Sequence, residues 1–262
     1  VTSRSADGSA GDADYGKIGA RYATYRQPDP RIAARIHAAL GPARTVLNVG
    51  AGAGSYEPID RTVIAVEPSA SMRAQRPSHL PPAVDALAEH LPFPDRHFEA
   101  SMATFTVHQW SDLRAGLAEM RRVTRGSVVI LTCDPEALDR FWLHEYAPEV
   151  TRVEAGRYPP IASIAAALSG RTEVLHVPVP LDCRDGFNEA YYGRPELLLE
   201  AGARLACSGW SFVPPSAVKR FVATLGRDLS DGTWDARYGR FRKQPEFDGP
   251  LRLVVGASGP TA

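Results

Sequence analysis

Three glycines and an acid are the first residues whose spacing suggests chemistry. In Thr45–Pro58, TVLNVGAGAGSYEP, an apolar run reaches Asn48 and is followed by glycine at 50, 52 and 54. Glycine at alternate positions loses chain entropy and offers no side chain for packing, so the pattern needs a reason. After a buried strand, that reason is a ligand lying against the backbone. The spacing is G-x-G-x-G, not the dinucleotide G-x-G-x-x-G, because Ser stands at 55, and this argues against a nicotinamide oxidoreductase. No Gly-Lys-Ser/Thr follows, which excludes a phosphate-gripping loop. The next apolar run, TVIAVEPSASM, carries Glu67 at its tip. A carboxylate there accepts two hydrogen bonds from a ribose diol, so turn and acid together point to an adenosine-containing cofactor.

Other reactive side chains are fewer. His108, in TVHQWSD, follows the Ala100–Phe105 run at the carboxyl edge expected for a ligand site, and its ordinary pKa suits proton removal near neutrality. The competing reading has it capping the next helix or packing on Trp110. HLPFPDRH holds two histidines and an Asp, but its prolines and lack of i,i+4 spacing argue against a metal. The three cysteines, Cys133, Cys183 and Cys207, lack metal spacing and fit a reducing compartment.

These residues need elements to position them. Apolar runs at Thr45–Val49, Thr62–Val66, Ala100–Phe105 and Ser127–Thr132 alternate with helical patterns, which predicts a parallel sheet covered on both faces. Pro30 opens a helix with an Ile32, Ile36, Leu40 stripe. SDLRAGLAEMRRVTRG predicts a second helix, with Ser111 as its N-cap and Gly126 as its stop. Only SYEPIDR separates Gly54 from the next strand, so the helix in that crossover has room for about one turn. Beyond Asp134, PEALDRFWLHEYAPEVTRVEA, IASIAAALSG, GFNEAYYGRPELLLEAGARLA and PPSAVKRFVATLGRDLSDG read as helices. TEVLHVPVP and LRLVVGA read as late strands. The expected organisation is a disordered leader over 1–14, a cofactor-binding core with an N-terminal helical cover over 15–134, a substrate lid with late strands over 135–250, and a final strand and tail over 251–262.

Charge excludes some partners. The 262 residues carry 30 basic and 30 acidic side chains, so no electrostatic footprint marks a nucleic acid or an anionic membrane. WDARYGRFRKQPEFDG is locally basic but lacks a stacking platform. No apolar run nears the roughly 20 residues that span a bilayer, and no apolar signal core opens the chain, so the expectation is a soluble cytoplasmic protein of unreadable oligomeric state.

VLNVGAGAGSYEP, VIAVEPSASM, AEHLPFPDRHFEASMATFTVHQWSD and EMRRVTRGSVVILT, in that order, resemble the successive motifs of the class I S-adenosylmethionine-dependent methyltransferases. The flavour is that of the broad group containing the ubiquinone/menaquinone C-methyltransferases and many small-molecule methyltransferases. The likeness is strong over about 15–134 and weak beyond. It implies an α/β, Rossmann-like seven-stranded, mostly parallel sheet with the last strand antiparallel and helical lid insertions. It implies S-adenosylmethionine as cofactor, with Gly50, Ala51, Gly52 and Gly54 along its methionine and ribose portion, Glu67 on the diol and Pro68 beside it. Ala88 and Glu89 fall where the family brackets adenine, and Thr104 and Phe105 lie beneath the methyl region. Tyr15 and Tyr22 match the helix that closes over the cofactor, and Arg26 is placed to reach the methionine carboxylate. The sequence departs from the common pattern at Asn48, where many members carry Asp, and at Leu87, where many carry an adenine-binding Asp; Asp85 is the nearest substitute.

The implied function is methyl transfer to a small organic acceptor, with His108 as base. The lid offers Phe141, Trp142, His144, Glu145, Tyr146, Tyr191, Tyr192 and Arg194 for substrate cover, although Phe141 and Trp142 also fit a core. Two alternatives stay open: C-methylation of a quinone-like ring, and a cofactor-binding protein that transfers no methyl group.

Overall fold

The structure, a computed structural model, describes residues 22–168 and 170–257, with side chains from residue 24 onward. The expected leader, 1–14, and Tyr15 lie outside the described residues, as does the side chain of Tyr22.

Among the described residues eight strands form two sheets. β1 (Thr45–Val49), β2 (Thr62–Val66), β3 (Ala100–Thr104) and β4 (Val128–Cys133) run parallel, while β8 (Leu251–Gly256) lies antiparallel between β4 and β5 (Thr172–His176). The main sheet reads β2-β1-β3-β4-β8-β5. β6 (Val179–Pro180) and β7 (Glu246–Phe247) make a separate two-stranded ribbon. Successive residues of β1 point to opposite faces. Val46 joins the core cluster that includes Ile32, Ile36, Met102 and Leu131. Leu47 joins the one with Leu117, Met120, Ile130 and Val254. Burial on both faces explains why the strands are continuously apolar.

The expected seventh strand is a correction. Among the described residues the main sheet has six strands, and the position outside β2 is held by one bridge, Val66 to Val84. Val84 donates to the Ala65 carbonyl at 2.8 Å and accepts from the Glu67 N–H at 3.0 Å. Pro81 and Pro82 come just before it and have no N–H to extend the ladder.

Two other expectations change. Residues 50–61 contain turns and no helix, so the abbreviated crossover lacks even one helical turn. The helix Leu113–Val123 is capped by Asp112, whose side chain accepts from the Ala115 N–H at 3.0 Å, not by Ser111. The helix Pro30–Ala39 starts as read, with Asp29 accepting from the Arg31 N–H.

Prolines also divide the lid. Pro148 separates the turn Leu143–Tyr146 from the helix Pro148–Arg157, and Pro195 opens a 3-10 segment, Pro195–Leu199, before the helix Ala201–Leu205. Each proline sits at a first turn, where its missing N–H costs nothing. Phe141, Trp142, Tyr146 and Tyr192 pack with Trp234, Tyr238, Phe241 and Phe247, with ring centroids 5.0–6.5 Å apart. These four of the aromatics offered for substrate cover therefore belong to the same core cluster as Val46 and Ile32. The basic stretch after Trp234 is locally neutralised: Arg242 pairs with Asp235 and Glu196, and Arg237 pairs with Glu145.

Candidate active site

The carboxyl ends of β1, β2 and β3 converge on the glycine turn. Gly50 has φ +67°, and a Cβ placed there would lie 2.1 Å from Thr106 Oγ1. A side chain is excluded twice, by conformation and by space. The Gly52 N–H donates to Glu67 Oε2 and the Ser69 N–H to Oε1, both at 2.8 Å. Glu67 thus reaches from the tip of β2 to the turn after β1, and only 7% of it is exposed.

Two non-glycine residues at this site adopt the left-handed conformation, Tyr56 at φ 64° and Phe105 at φ 52°. Such strain persists only where surrounding contacts hold it. The Tyr56 hydroxyl donates to Asp185 Oδ2 at 2.8 Å, and Arg26 Nε donates to Oδ1 at 2.5 Å. The Arg26 guanidinium also lies 5.2 Å from the Phe105 ring centroid. A cavity of about 530 Å³, counted to its open mouth, is lined by Arg26, Gly50–Ala53, Tyr56, Glu67, Met72, Thr104–Thr106, Gln109 and Asp185.

A second cavity, about 510 Å³ with the open solvent at its mouth counted in, shares Arg26, Phe105 and Gln109 with the first. Its remaining wall includes His108 and Cys133 from the core, and Glu154, Tyr158, Phe187–Glu189 and Ala206–Ser208 from the lid. His108 sits in a 3-10 turn, Val107–Gln109, with its ring centroid 4.5 Å from that of Tyr158. Burial pushes the Cys133 and Cys207 thiols and the Tyr158 phenol up, which leaves all three protonated. Burial raises Glu154 and Glu189 as well, and the neighbouring Glu154 charge raises Glu189 further.

Residues 47–131 match the family model described as a methyltransferase domain. A solved structure from Anabaena variabilis ATCC 29413, described provisionally as a methyltransferase from an antibiotic biosynthesis pathway, shares 30% identity and superposes with a TM-score of 0.83 over 89% of this chain and 99% of that one. The chain belongs to the class I S-adenosylmethionine-dependent methyltransferases. A further S-adenosylmethionine-dependent methyltransferase structure, from Thermotoga maritima, shares the fold at 14% identity, with a TM-score of 0.55 over 93% of this chain and 95% of that one. No curated protein matches the sequence.

S-adenosylmethionine is the cofactor of this methyltransferase, and the first cavity fits it. Bare backbone at Gly50 and Gly52 lines it, with Thr106 taking the space a Cβ at Gly50 would need, and Glu67 is an acceptor-only group in the same wall. Of the residues anticipated from the methyltransferase resemblance, the cavity brings together Arg26, Gly50, Ala51, Gly52, Glu67, Thr104 and Phe105. Others stand behind the wall. Asn48 is fully buried, and its amide donates to Glu57 Oε1 at 3.0 Å, while Arg76 grips Glu57 with two bonds of 3.0 Å. Gly54 faces Leu80 and Arg76. Pro68 is outside the lining, and Ala88 is buried beside Gly116. Glu89 Oε1 accepts from Ser111 Oγ and the Asp112 N–H, which ties down the turn before the second long helix. Asp85 accepts from Arg73 at 3.3 Å. The sequence reading did not find Tyr56, Asp185, Glu154 or Glu189. Tyr56 and Asp185 meet across 129 positions, a separation that no local pattern records.

Proposed function

We propose that this methyltransferase acts on a small organic acceptor held in the second cavity. The observation that supports it is the wall the two cavities share, Arg26, Phe105 and Gln109, which puts a second pocket with polar and aromatic walls directly against the cofactor site. On this reading Glu67 holds the ribose diol, Arg26 faces the methionine carboxylate, and Asp185 provides the negative charge that Asn48 does not. S-adenosylmethionine, when bound, supplies an electrophilic methyl group on a sulfonium. The protein's share is mostly positioning. The lid side chains shed water from the second cavity and orient the acceptor. His108, in the wall of that cavity, takes the proton if the nucleophile carries one.

Calorimetric titration with S-adenosylhomocysteine, on wild type and Glu67→Gln, tests the cofactor half. Loss of a charge-assisted hydrogen-bond pair should weaken binding about 10- to 100-fold. Equal affinity in the two proteins would remove Glu67 from the ribose. An acceptor screen followed by S-adenosylhomocysteine release then tests the second half. His108→Gln should lower kcat on a protic acceptor with little change in KM, and an unchanged kcat would remove the base.

A further inference from the structure

Two lid carboxylates line the second cavity and not the first. Glu154 comes from the helix Pro148–Arg157 and Glu189 from the 3-10 turn Asn188–Tyr191, and they are only 8% and 3% exposed. Glu154 is fixed in place. Its Oε1 accepts from Asn188 Nδ2 at 3.0 Å, and Asn188 Oδ1 in turn accepts from Trp210 Nε1 at 2.9 Å. Gly209 closes the far side, since a Cβ there would lie 2.8 Å from that same oxygen. Glu189 is different: among the described residues no side-chain donor reaches its carboxylate, although it lines the cavity.

Among the described residues the charge around the two cavities does not balance. Four carboxylates, Glu67, Asp185, Glu154 and Glu189, stand against two guanidiniums, Arg26 and Arg157. Arg26 is paired with Asp185, and Arg157 Nη1 donates to Ser208 Oγ at 2.9 Å with its guanidinium 4.6 Å from the Phe212 ring centroid. Cys133, Cys207 and Tyr158 are held neutral by burial and cannot compensate, which leaves His108 as the other ionisable group in the wall. A buried negative charge in excess must be met by a proton or by a bound cation. Without a ligand, a proton on the pair meets it.

We infer that the acceptor carries a positively charged nitrogen, of the ammonium or amidinium type, which seats on Glu154 and Glu189. This rests on the second cavity being the acceptor site. The cation takes the place of the proton on the pair, and that proton leaves to solvent. The pair anchors the acceptor by charge and leaves the attacked atom to be set by reach toward the cofactor.

The test titrates enzyme saturated with S-adenosylhomocysteine with three probes of one shape: phenethylamine, 2-phenylethanol and phenylacetate. Calorimetry in two buffers of different ionisation heat reads proton release. The amine should bind at least ~10-fold more tightly than the alcohol, with the acid weakest, and should release about one proton near neutral pH. Glu189→Gln and, separately, Glu154→Gln should erase both the preference and the proton release and leave S-adenosylhomocysteine affinity unchanged. Equal or tighter binding of the alcohol or the acid overturns the inference, as does an amine that fails to bind while S-adenosylhomocysteine binds normally. A Glu189→Gln protein that loses affinity for S-adenosylmethionine but not for S-adenosylhomocysteine also overturns it, because the pair would then serve the sulfonium. Filling the cavity with Ser208→Trp separates this failure from failure of the acceptor-site reading. Turnover that survives Ser208→Trp removes the acceptor site itself, whereas turnover of a neutral acceptor that Ser208→Trp abolishes removes only the cation.

Discussion

Asn48 shows what a single amide does in a buried place. Its Nδ2 donates to Glu57, and Glu57 is held from the other side by Arg76 with only 2% and 4% of the two side chains exposed. An Asp at 48, the residue many family members carry, would set a second carboxylate against Glu57 with no room for water. Asn48→Asp should therefore cost about 3 kcal/mol, measured by chemical denaturation at neutral pH. The loss should shrink as pH falls and one of the two acids takes a proton. Glu57→Gln in the same chain should restore most of the stability, since the new amide can donate back to the introduced carboxylate; a double mutant no better than Asn48→Asp would refute this pairing. The glycine turn and Glu67 were legible in the sequence because their spacing and strand-tip position are local facts. Asn48 was legible as a departure from the Asp that many members carry, but its partner Glu57 was not, because hydrogen-bond partners nine positions apart in a turn follow no periodicity.

Elements explain the remaining gaps. The four core strands and β8 could be read because strands buried on both faces are continuously apolar. The seventh strand failed at Pro81 and Pro82, and the long lid helices failed at Pro148 and Pro195, so proline decided these departures. The aromatic lid looked like substrate cover because a helical stripe of Phe, Trp and Tyr reads the same whether it faces a ligand or another helix. Lid and core are latched at Asp185, which receives Tyr56 and Arg26 while the Gly186 N–H donates to the Tyr25 carbonyl at 2.7 Å. Asp185→Asn keeps an acceptor for Tyr56 but gives up the charge that holds Arg26. The expected result is faster amide exchange over residues 182–188, together with about 10-fold weaker S-adenosylmethionine binding. Unchanged exchange in that segment would show that the latch lies elsewhere.

At the scale of the whole molecule, the acid pair makes stability depend on pH. Burial raises both Glu154 and Glu189, so between the ordinary carboxyl value near 4.5 and their raised values the folded chain holds more protons than the unfolded one. Their contribution therefore falls as pH rises through that window and levels off above it. Denaturation of the ligand-free enzyme should show this decline, and Glu189→Gln should flatten it and raise Tm by a few degrees at pH 8. A slope that Glu189→Gln leaves intact would place the protons on other groups. One more consequence follows from the antiparallel strand β8, which fills the gap between β4 and β5. Among the described residues β5 pairs with no other strand, so it has no sheet to join until residues 251–256 have been translated. On the ribosome, the cofactor half has all its strands early, while β4 and β5 wait as open edges on which a chaperone or a second nascent chain can settle. Any shortening of the chain before Leu251 would make that vulnerable interval permanent.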